Sequence, residues 1–190
     1  MAGGRSSRMG RDKALLPHRE ATHFLQHAID QLANLVDQIT IAGRDAEPGL
    51  VSEVPLRWLA DLKAYRGPAA ALANVLCALA DHPEWSALLL IAVDMPRLKC
   101  EHLQQLCQAS QATPDRLVAA ADADGRAQPM PAVYPRRYAA ELAKLADKAD
   151  ASLSRWLLRH DPHRVRLPTA VLANINNPQH WTNYWKQAEP

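Results

Sequence analysis

Seven apolar residues in unbroken succession, Ala87-Leu88-Leu89-Leu90-Ile91-Ala92-Val93, restrict the fold more than any other feature, and they stop abruptly at Asp94-Met95-Pro96. A strand with one wet face alternates apolar and polar residues. An unbroken run is the mark of a strand covered on both faces, as in parallel sheets whose crossover helices lie above and below. The chain must therefore supply helices around this strand.

It does so on both sides. Phe24, Leu25, Ala28, Ile29, Leu32 and Leu35 recur at helical spacing between about Thr22 and Val36. Gln38 to Ala42 reads as a short strand closed by Gly43, and a polar, proline-bearing connection then passes Trp58 and Leu59. Gly67-Pro68 opens an alanine- and leucine-rich helix to about Ala80, with proline where a first helical turn accepts it. Beyond the central run, helices are expected at 101–110, 138–146, 153–159 and 178–187. Strands are expected at 117–121, 132–134 and 165–167. Strands alternating with helices predict an α/β, three-layer Rossmann-like arrangement with a mostly parallel central sheet, and no linker or repeat divides residues 1–190 from a single domain.

Composition narrows the function. A net charge of +2 argues against nonspecific nucleic-acid or membrane binding, and no apolar run is long enough to span a bilayer. Cys77, Cys100 and Cys107 form no close pair; they are read as buried thiols in a reducing, cytoplasmic setting.

Four constellations could carry chemistry. The opening Met1 to Lys13 holds Gly3, Gly4 and Gly10, which allow close backbone approach, beside Arg5, Arg8, Arg11 and Lys13. Successive N–H groups and cations of this kind cradle phosphate, although a solvated basic terminus has the same composition. It lacks the Gly-Lys-Ser/Thr of a Walker A loop and the glycine spacing of a dinucleotide fingerprint. Asp94, just past an apolar strand, stands where α/β sheets bind ligands and could hold Mg²⁺, or could be a turn aspartate. Asp61 precedes Gly67-Pro68, a helix start that could face an anion. Asn174-Ile175-Asn176-Asn177-Pro178 offers amides for a ligand or for a helix cap. Neither the HExxH zinc pattern nor the G-x-S-x-G elbow occurs.

Taken in order, Ala2-Gly3-Gly4-Arg5-Ser6-Ser7-Arg8-Met9-Gly10, Lys13, Asp61, Gly67-Pro68, Asp94-Met95-Pro96, Gln128-Pro129 and Asn174-Ile175-Asn176-Asn177-Pro178 resemble the molybdenum cofactor guanylyltransferase family of the nucleotidyltransferase superfamily. The resemblance implies a nucleotidyltransferase fold and Mg²⁺-dependent transfer of GMP from GTP to molybdenum-molybdopterin, with release of pyrophosphate. It also implies Met1, Ala2 and Gly3 against the nucleotide, with Gly4 and Arg8 in the same loop and Lys13 on the phosphates. Asp61 would contact the nucleoside, Asp94 would hold Mg²⁺ and Asn176 would sit near the acceptor. Molybdoenzyme apoproteins or pterin-delivery proteins are the further partners it suggests.

Two departures accompany the resemblance. The family's loop follows an apolar central strand, which here would fall before Met1, so the first strand is expected to be missing or truncated. Near Ile41-Ala42-Gly43 the asparagine that the family often offers to the nucleotide is absent. The competing expectations are a cytidylyltransferase or sugar-phosphate nucleotidyltransferase, and a noncatalytic relative that binds nucleotide or cofactor.

Overall fold

The computed structural model describes residues 1–3, 11–60, 67–82, 84–145 and 151–186. Six strands are found there: β1 (Ile39–Ala42), β2 (Leu56–Leu59), β3 (Ala87–Leu90), β4 (Val118–Ala121), β5 (Ala127–Pro135) and β6 (His163–Arg166). The helices are α1 (Phe24–Ala33), α2 (Gly67–Ala78), α3 (Cys100–Ala112), α4 (Ala139–Leu145), α5 (Leu153–Arg159) and α6 (Pro178–Lys186).

β1 and β2 pair in parallel. The other four strands form a sheet in the order β3-β5-β4-β6, in which β5 runs against both neighbours while β4 and β6 are parallel. Met1 and Ala2 stand between the two sheets. The Met1 nitrogen donates to the Ile91 carbonyl, the Val93 N–H donates to the Met1 carbonyl, and the Ala2 N–H donates to Ala42. Below that junction, among the described residues, β1 pairs with β2 alone and β3 with β5 alone.

The side chains of β4 show why the layers form. Val118 and Ala120 turn one way, into a core with Leu25 and Ile29 of α1 and Leu103 and Leu106 of α3. Ala119 turns the other way, among Leu72 and Leu76 of α2, Leu142 of α4 and Leu157 of α5. Period-two alternation thus feeds helices on both faces. The apolar run over 87–93 is confirmed as a strand only to Leu90; beyond it Ile91 and Val93 hydrogen-bond Met1 through their backbones.

Three expectations need correction. The connection through Trp58 contains a strand, β2, whose residues are all half-buried. β5 is nine residues long and takes in Pro129 and Pro131, whereas only 132–134 was expected. The cysteines are not buried thiols: Cys77 is exposed, and Cys100 and Cys107 are partly so. All three lie on helices, where a small apolar residue fits a partly covered face. Among the described residues no helix is long and apolar enough to cross a membrane.

Candidate functional site

The strand ends at Ala42 and Leu90 and the Met1–Gly3 segment converge on one edge of the molecule, and the charged residues collect there. Lys13 lies in a short 3-10 turn, Lys13–Leu15, whose start is fixed by Asp12: its Oδ1 accepts the Ala14 N–H at 3.0 Å. This turn aims the lysine at residues far away in the chain. Its Nζ donates to Asp94 Oδ2 at 3.1 Å and to Asn176 Oδ1 at 2.8 Å.

Lys13 and Asp94 have side chains only 18% and 17% exposed, so their ion pair is screened less than a surface pair. The backbone of Asp94 is also held, because the Ile175 N–H donates to its carbonyl at 2.8 Å. The asparagine cluster divides its labour. Asn177 Oδ1 accepts the His180 N–H at 2.8 Å and caps α6, while the neighbouring Asn176 reaches Lys13.

Gly3 has a steric reason to be glycine: a Cβ there would lie 2.7 Å from both the Cα and the carbonyl oxygen of Gly43. Gly67, which opens α2, has a conformational one, with φ of +82°. Of the residues singled out in the sequence, Met1, Ala2, Gly3, Lys13, Asp94 and Asn176 thus meet. Gly4, Arg8 and Asp61 lie outside the described residues.

Sequence reasoning missed Arg44. It follows β1 and Gly43, and its guanidinium pairs with Asp12 Oδ2 at 3.2 Å and with Glu47 at 2.6 Å. Among the described residues, its Nε and Nη1 are buried without a hydrogen-bond partner. Arg44 therefore ties the end of β1 to the aspartate that starts the Lys13 turn. A cation directly after a strand-ending glycine was the available signal.

No group of three or more His, Cys, Asp or Glu residues able to hold a metal occurs among the described residues. A cation here would depend on Asp94 together with oxygens from a ligand.

The family model of the MobA-like NTP transferase domain matches residues 1–165. The chain belongs to that family. A probable molybdenum cofactor guanylyltransferase from Rhodopirellula baltica is 33% identical over 184 residues, covering 94% of this chain and 86% of the relative. The crystal structure of Rv0371c from Mycobacterium tuberculosis H37Rv superposes with a TM-score of 0.72 at 22% identity, over 98% of this chain and 96% of that one. Its complex with manganese gives 0.62 at 21%, over 94% of each chain. The molybdopterin-guanine dinucleotide biosynthesis protein A of Archaeoglobus fulgidus gives 0.69 at 19%, over 96% and 93%. These structural likenesses establish a shared nucleotidyltransferase fold.

Proposed function

We propose that this member of the MobA-like NTP transferases moves GMP from GTP onto molybdenum-loaded molybdopterin, forming the guanine dinucleotide cofactor and pyrophosphate. The observation that carries the reading is the meeting of Lys13, Asp94 and Asn176 beside the Met1–Gly3 segment, residues separated by up to 163 positions. Support comes also from the Rhodopirellula relative, whose name specifies that activity.

Nucleotidyl transfer asks for positioning and charge neutralisation more than for a covalent nucleophile on the protein. The acceptor's phosphate oxygen forms a bond to the α-phosphorus of GTP as the bond to the β-phosphate oxygen breaks, and pyrophosphate leaves with that electron pair. Lys13 would turn from Asp94 to the triphosphate and offset its charge, with Arg8 beside it. Met1, Ala2, Gly3 and Gly4 would lie along the nucleotide, and Asp61 against the nucleoside. Asn176, next to Lys13, would meet the acceptor.

Asp94 is our candidate ligand for Mg²⁺. The fit is chemical: Mg²⁺ is commonly held by one or two carboxylates together with substrate phosphates, and Asp94 presents one carboxylate that already faces a cation. The ion would supply charge neutralisation at the phosphate oxygens. A complex of the similar Rv0371c with manganese supports a divalent ion as part of the reading. We place the activity in the cytoplasm, in keeping with three free cysteines, and assign it to residues 1–190 as one domain.

The test follows the label. With GTP labelled at the α-phosphate, the reading expects label in the pterin product; label retained in GTP, with the molybdenum-loaded acceptor present, would contradict it.

A further inference from the structure

Two buried histidines grip the segment that carries Asp94. His18 and His27 are 7% and 3% exposed. Their rings stack with centroids 3.8 Å apart and planes 19° from parallel. His27 belongs to α1, and His18 lies between the Lys13 turn and that helix.

The hydrogen bonds fix the protons. The Glu20 N–H donates to His18 Nδ1 at 3.1 Å, so the ring carries its proton on Nε2 and donates it to the Pro96 carbonyl at 2.8 Å. His27 Nε2 donates to the Leu98 carbonyl at 3.0 Å. The two carbonyls belong to residues two and four positions beyond Asp94. Between them and Asp94 the chain turns, closed by the Leu98 N–H on the Met95 carbonyl at 3.1 Å. From the opposite side Ile175 holds the Asp94 carbonyl.

Apolar side chains could fill the same space, but they would leave the carbonyls without donors in the interior and nothing to orient the turn. Imidazoles do both. The stack also reaches α6, since the His18 ring lies 5.8 Å from that of Tyr184, and it packs 5.8 Å from Phe24 at the start of α1.

We propose that His18 and His27 are positioning residues for the transfer site: the stacked pair fixes the Pro96 and Leu98 carbonyls and so sets the Asp94 carboxylate against Lys13 and Asn176. The proposal rests on the reading of Asp94 as the metal-holding residue.

The experiment measures Mn²⁺ affinity in the presence of GTP by electron paramagnetic resonance, alongside kcat, KM and the thermal transition. His27→Phe keeps the ring stack and volume but cannot donate; His27→Gln can donate through its amide. We expect His27→Phe to weaken Mn²⁺ binding by about tenfold, the scale of one lost buried hydrogen bond. It should lower kcat while leaving KM for GTP unchanged, and His27→Gln should recover most of both. If His27→Phe does not fold, His18→Leu and His18→Gln provide the same comparison.

Wild-type Mn²⁺ affinity in a folded donor-less variant would overturn the proposal, as would equal losses in the Phe and Gln variants. Asp94→Asn separates the two failures. If it binds Mn²⁺ undiminished, the metal-holding reading falls and the clamp with it; if it loses Mn²⁺ while His27→Phe does not, the clamp alone falls.

Discussion

Gly3 and Gly67 must each be glycine for a different reason, and substitution separates those reasons. An alanine Cβ at position 3 would press into the Gly43 backbone, which cannot swing aside as a flexible side chain would. Gly3→Ala should therefore cost about 1–3 kcal/mol and disturb the nucleotide loop as well. At Gly67 the space is open and only the positive φ penalises a side chain, so Gly67→Ala should cost about 1–2 kcal/mol. Denaturant midpoints and GTP affinity, measured together, should show the first variant losing both and the second mainly stability.

His27 supplies the pH dependence at the same scale. Burial, together with the adjacent His18, lowers its pKa from 6.5 to about 4. Between those values the unfolded chain binds a proton that the folded chain refuses. Stability is therefore whole above about pH 6.5 and declines as the pH falls toward 4. The loss from this residue is of order 3 kcal/mol once the pH is below the folded value. Urea midpoints across this range should fall with acid in the wild type and fall less in His27→Phe. A flat wild-type profile would contradict the buried, neutral imidazole.

At the scale of elements, periodicity revealed whatever had a clean pattern. Helices α1, α2, α4, α5 and α6 fall within the stretches where apolar spacing placed them, α3 overruns its expected 101–110 at both ends as Cys100–Ala112, and α5 matches at both ends because Ser152 caps it by accepting the Arg155 N–H. What escaped had a conflicting signal. Pro129 and Pro131 argue against a strand, yet β5 runs through both, because they fall at 128–131, between the paired positions Ala127 and Ala132, where the register to β4 shifts. The segment Leu56–Leu59 is too short to show a period, and its parallel pairing with β1 is a tertiary fact. The asparagine cluster was legible as a cap or a ligand site but not as both. Asn177→Ala should lower stability by about 0.5–2 kcal/mol through the lost α6 cap, with little change in turnover. Asn176→Ala should do the reverse; thermal transitions and pyrophosphate release measured on both variants would check the division.

Across the whole molecule, the candidate site was legible as motifs, although its geometry was not. The basic glycine-rich loop pointed to Lys13, the end of the apolar run to Asp94 and the family resemblance to Asn176, and only the fold brings the lysine to both partners at once. Arg44 stayed hidden because its partners, Asp12 and Glu47, give no periodic signal and matter only when β1 ends beside the Lys13 turn. The histidine pair was equally silent, since a nine-residue separation says nothing of stacked rings. The sheet explains why these contacts occur where they do: strands that end together deliver their following loops to one edge, the place where α/β proteins bind ligands.

The most direct test of the account is pyrophosphate release, with Mg²⁺ and molybdenum-loaded molybdopterin, from GTP, CTP and ATP in turn, for the wild type and for Asp94→Ala. Release is expected with GTP in preference to the others, with a fall of about 10²–10³ in rate for a folded Asp94→Ala, the scale of losing one preorganised charge-stabilising group. Release from none of the nucleotides, or undiminished turnover by Asp94→Ala, would contradict it.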